Sequence, residues 1–102
     1  MQALENLSRL DGAIVGRRPH PSSSAYDLVS LRVVRVGAVP GKANLLAHAE
    51  GNTVDVTVRR ELLGSARPGD QLRCRAQQTP DGPLCEPHPA PADFEVRASA
   101  PP

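Results

Sequence analysis

A small all-β barrel is the fold class this sequence predicts, and three observations point to it. Across residues 27–78 several short segments alternate apolar and polar residues with period two. Turn signals built on Pro-Gly, Glu-Gly-Asn and Pro-Gly-Asp separate these segments at short intervals. At 102 residues, with one tyrosine, one phenylalanine and no tryptophan, the chain can build one modest core filled by Val, Leu, Ile and Ala.

Taken in order, the chain begins with Leu4, Leu7 and Leu10 at a spacing of three, which predicts a short amphipathic helix over residues 1–11. Such a helix is too short to stand alone, so it docks on the barrel or on a partner. Residues 13–16 read as a small extra strand, and the Arg, Pro and Ser of residues 17–24 as a loop by composition. Residues 27–33 place Val29, Leu31 and Val33 on one face and Ser30 and Arg32 on the other. At Val33-Val34 the alternation slips, as a bulge or sharp coil in a long first strand would produce.

Pro40-Gly41 predicts the turn of a first hairpin. A weaker second strand follows over residues 44–50, read with Leu45, Ala47 and Ala49 inward and His48 outward; the opposite register puts Leu46 and His48 inside. After Glu50-Gly51-Asn52, residues 53–59 form the cleanest strand, with Val54, Val56 and Val58 on its inner face. Arg60 to Gly64 then suits one helical turn. Arg67-Pro68-Gly69-Asp70 is a turn, and a fourth strand alternates Leu72, Cys74 and Ala76 against polar neighbours. Pro80-Asp81-Gly82-Pro83 closes another hairpin, and the last strand comes either from residues 84–86 or from residues 94–98. The expected core is Val29, Leu31, Val33, Val54, Val56, Val58, Leu72 and Phe94 in a monomeric or weakly self-associating protein.

This order of elements, with a long coiled first strand and a Pro-Gly-Asp turn before the fourth, resembles the OB-fold, a five-stranded Greek-key barrel. An SH3-like barrel is the competing small-barrel reading. The implied organisation is a short helix and Pro/Ser-rich loop over residues 1–26, an OB-like barrel over residues 27–98 and a disordered tail over residues 99–102.

The chain carries no Gly-rich phosphate loop, nucleophile elbow or paired-histidine zinc signature, so neither an enzyme nor a cofactor is expected. A hairpin turning at Asp81-Gly82 sets Cys74 opposite Pro89 and away from Cys85. The spacing of Cys74, Cys85 and His88 is not that of a zinc knuckle, so reduced, buried thiols and no metal are expected. No signal peptide and no membrane-spanning stretch is read, which predicts a cytoplasmic protein with no membrane partner. Eleven arginines against the single Lys42, with many Ala and Pro, suggest a bacterial genome of high GC content.

Charge is distributed unevenly. Residues 28–78 hold eight basic and four acidic side chains, a balance of +4, so with a whole-chain charge of +1 the flanks sum to −3. The OB-fold resemblance implies a ligand lying across the second and third strands and the adjoining loops. On this chain those positions are Arg32, Lys42, His48, Thr57 and Arg59, with Arg73 and Arg75 of the fourth strand extending the patch. The expected function is weak, sequence-independent binding of single-stranded nucleic acid, limited by the lack of outward aromatic side chains for base stacking. The alternative is a protein-protein interaction module docking through a barrel edge or the Leu4/Leu7/Leu10 stripe. A plainer possibility is that the outward arginines only keep the sheet soluble.

Overall fold

Two long strands from the first third of the chain organise the molecule. The structure, a computed structural model, describes residues 5–99. Its elements are β1 (Ser8–His20), β2 (Ser23–Ala38), β3 (Thr53–Arg59), α1 (Arg60–Leu63), β4 (Gln71–Thr79), β5 (Gly82–Cys85) and β6 (Glu95–Arg97). The strands pair in the order β1-β2-β3-β5-β4, and β4 pairs back onto β1 to close a ring of five. Every pairing is antiparallel except a narrow parallel seam between β3 and β5, where Thr57 faces Leu84. The fold is therefore the all-β, five-stranded barrel expected, with its one short helix between β3 and β4.

Alternating inward residues fill the ring. Leu10 and Ile14 of β1, Val29, Leu31 and Val33 of β2, Val56 and Val58 of β3, Leu72, Cys74 and Ala76 of β4 and Cys85 of β5 are all buried together. Val54 and Phe94 are half-buried against this cluster, so the predicted core is present. The slip at Val33-Val34 is a bulge: Asp11 faces Arg35 and Gly12 faces Val33, which leaves Val34 unpaired between them. Such a feature bends the strand that carries it, here β2, while β1 pairs with β2 along its length and with β4 over residues 8–13.

The N-terminal elements correct the sequence reading. Residues 8–11, expected in a helix, belong to β1, while residues 1–4 lie outside the described region. The inward row of β1 is Ser8, Leu10, Gly12 and Ile14, so its period of two was hidden by a serine and a glycine in core positions. Ser8 is fully buried and donates from Oγ to Asn44 Oδ1 at 2.6 Å, which satisfies a polar group that would otherwise be costly inside. Residues 17–24, expected as a loop, are the ends of β1 and β2 joined by a tight turn at Pro21-Ser22. Past Ile14, whose backbone still bonds Gly69 and Asp70, β2 is the only strand paired with β1 among the described residues, and an unshared edge tolerates the missing donor of Pro19.

With β1 supplied by the N-terminus, the predicted first strand is the second, and residues 44–50 are not needed in the ring. They form a turn and a 3₁₀ turn over Ala47–Ala49, burying Leu46 and Ala49 and exposing Leu45 and His48. A spacing of three prevails there over the predicted alternation. The turn at Pro40-Gly41 exists, with Lys42 N donating to Val39 O at 3.1 Å, but it leads into this connection and not into a hairpin strand. Both candidates for the last strand are strands. β5 and β6 lie end to end along one edge of β4, opposite residues 76–79 and 71–73.

The remaining turns follow their chemistry. Asp70 N bonds Arg67 O at 3.1 Å, and Gly82, at φ +106°, closes the β4–β5 hairpin where a side chain would be strained. Ser99, expected in a frayed tail, donates its N–H to Asp70 Oδ1 at 3.1 Å; residues 100–102 lie outside the described region. In the β4–β5 register Cys85 faces Ala76, two positions away from the one that set Cys74 opposite Pro89. The two cysteines are thus not direct partners. Both are free and buried, and a hydrogen bond with Cys85, reinforced by burial, pushes the Cys74 thiol well above its ordinary pKa. Among the described residues no helix is long and apolar enough to cross a membrane.

Candidate nucleic-acid interface

The outer faces of β2 and β3 pair Leu28 with Thr57, Ser30 with Asp55 and Arg32 with Thr53. At the centre of this face Asp55 accepts from Ser30 Oγ at 2.8 Å and from Arg18 Nη2 at 3.0 Å. Those two hydrogen bonds, with the Arg18 charge, outweigh desolvation and hold the Asp55 carboxyl below the usual carboxylate range. The charge of Arg18 is therefore already answered within the sheet.

The seven predicted positions do not share one surface. Arg32 is exposed on β2 and has no carboxylate partner among the described residues. Thr57 is half-buried between Leu28 and Leu84. Arg59 faces Tyr26 at the far end of β3, six residues along β2 from Arg32, or roughly 20 Å at the rise of a strand. Its Nη1 lies 3.4 Å from His88 Nδ1, and its buried Nε has no hydrogen-bond partner among the described residues. Lys42 pairs with Glu5, and His48 is exposed on the 3₁₀ turn of the β2–β3 connection.

Arg73 and Arg75 stand on β4, on the other side of β1. Arg75 is gripped by Glu86 at 2.7 and 2.8 Å and approached by Asp93 at 3.5 Å. The hydrogen bonds it donates to Glu86 raise its pKa, so this guanidinium staples the excursion between β5 and β6 to the barrel. Arg73 is held more loosely, 3.8 Å from Glu95.

Two arginines escaped the sequence reading. Arg35 faces Asp11, and Asp11 on its other side faces Arg73; Arg9 lies one outward position further along β1, opposite Gly37. Arg9 and Arg35 are exposed, and among the described residues neither has a carboxylate partner. With Arg73 and the bulged Val34 they line a cleft of about 550 Å³. The signal for Arg35 was the same slip at Val33-Val34, because one extra residue turns Arg35 outward beside Arg32. Arg9 was hidden by the helical reading of its segment.

The fold and this surface define a small barrel with arginines left unneutralised on its outer wall. Comparison with protein-family models, with curated proteins and with solved structures finds no match to the chain.

Proposed function

We propose that this protein is a non-enzymatic, OB-like module that binds single-stranded nucleic acid weakly and without sequence preference. The observation that carries the reading is the group of exposed arginines, Arg9, Arg32 and Arg35, that adjoin on β1 and β2 and form no ion pair among the described residues. A guanidinium offers forked donors suited to phosphate, and a phosphate backbone is the ligand that carries charge at every unit without demanding a base code. Tyr26 is half-buried and Phe94 packs on the core, so base stacking contributes little and affinity is low. The free thiols inside the barrel suit a reducing, cytoplasmic setting.

Titration of a labelled mixed-sequence single-stranded oligonucleotide over a series of salt concentrations tests the reading. Expected is a linear fall of log affinity with log salt, alike for unrelated sequences. Absence of binding at low salt would reject it in favour of docking on a protein through a sheet edge. The leucine stripe gives that alternative little, since Leu10 is fully buried in the barrel.

A further inference from the structure

We infer that the bound single strand runs from β2 across β1 toward β4, with its phosphates on Arg32, Arg35, Arg9 and Arg73, and not across β3. This rests on the nucleic-acid reading above. The β2–β3 face, where the OB-fold resemblance would put the ligand, has at its centre an Asp55 whose negative charge is already matched by Arg18. The two cations of that face that form no ion pair among the described residues, Arg32 and Arg59, stand at opposite ends of it, roughly 20 Å apart.

On the β1 side the arrangement is different. Arg35, Asp11 and Arg73 occupy neighbouring places on three adjacent strands, with Arg9 one outward step along. Adjacent strands are about 4.8 Å apart, so all three guanidinia reach one short stretch of backbone. Three positive charges face two carboxylates, Asp11 and Glu95, and Asp11 forms no ion pair among the described residues. The contact of Arg73 with Glu95, at 3.8 Å, is long enough for a phosphate to displace. Val34, 63% exposed because the bulge lifts it out, adds an apolar surface for a sugar or base, and Ala92 contributes only a methyl group to the lining.

The test compares single variants against the same labelled mixed-sequence single-stranded DNA. Arg35→Ala and Arg9→Ala should each flatten the salt slope by roughly 0.7 and weaken every sequence alike, the change expected for one lost phosphate contact on a single strand. Arg35→Lys should restore the slope, and Arg59→Ala should change it less than either. Both arginines are exposed and unpaired, so unchanged thermal melts will show that the variants are folded. If Arg59→Ala flattens the slope while Arg9→Ala and Arg35→Ala do not, the strand lies over β3 and this path is wrong, although binding itself stands. Failure of the parent protein to bind at low salt overturns the path and the proposed function together.

Discussion

Gly12 sits where β1 crosses closest to the bulge in β2. A Cβ built there would stand 2.4 Å from the backbone oxygen of Arg32 and 3.1 Å from Leu31 Cγ, and backbone cannot swing aside as a flexible side chain can. Gly12→Ala therefore forces the two strands apart near the end of the stretch, residues 8–13, where β1 pairs with β4 as well. The expected cost is about 1–3 kcal/mol, typical of overpacking, and it should appear as a fall of several degrees in the thermal midpoint. A midpoint equal to that of the parent would mean that the bulge at Val34 yields freely.

Among the elements, one end of the barrel is tied by a single carboxylate. Asp27 of β2, 4% exposed, accepts from Arg17 Nε of β1 at 2.8 Å and from Arg60 Nε of α1 at 2.9 Å. Arg17 also donates to the carbonyls of Gly64 and Ala66, so the segment after α1 joins the same knot. Burial alone would raise the Asp27 pKa, but the hydrogen bonds and charges of the two arginines prevail and lower it. With the folded value below the unfolded one, the unfolded chain binds more protons between them. The stabilisation is complete above the ordinary aspartate value of about 3.9 and is lost as pH falls through the lowered one. Asp55 shifts the same way, as does Asp70, whose carboxyl accepts the backbone N–H groups of Arg67 and Ser99. Asp27→Asn should accordingly lower the melting temperature near neutral pH and narrow its gap from the value at about pH 3. An undiminished gap would assign the acid sensitivity to Asp55 and Asp70.

For the molecule as a whole, one core means one cooperative transition. Val56 is fully buried on β3, between the β2 pairing and the narrow seam to β5, and among the described residues no cation is buried in that interior to meet a charge. Val56→Asp would bury an unpaired carboxylate at a cost of several kcal/mol, comparable to the whole stability of a small domain. Expected is loss of the cooperative melt and, with it, of oligonucleotide binding. A normal melt would require β3 to have slipped by one residue, turning its valines to solvent.

Features decided by neighbours in sequence could be read from sequence alone. The valines of β3, the single turn of α1, the glycine-bearing turns and the bulge at Val34 each rest on period-two patterning or on local φ requirements, which act within a few residues. Arg32 and Arg73 were placed outward on the same basis. Tertiary structure decided what depends on distant partners. The strand character of residues 8–20 emerges only when β2 and β4 flank it, because Ser8 and Gly12 break its apolar pattern and Asn44 must arrive to satisfy the serine. Which cations remain free is likewise a matter of pairing across the chain. Lys42 meets Glu5 and Arg75 meets Glu86 only in the folded barrel, and Arg9 and Arg35, 26 residues apart, converge only because β1 and β2 fold back on each other as a hairpin. Composition sets the number of charges, but the distance between them, which governs their Coulomb energy, belongs to the fold.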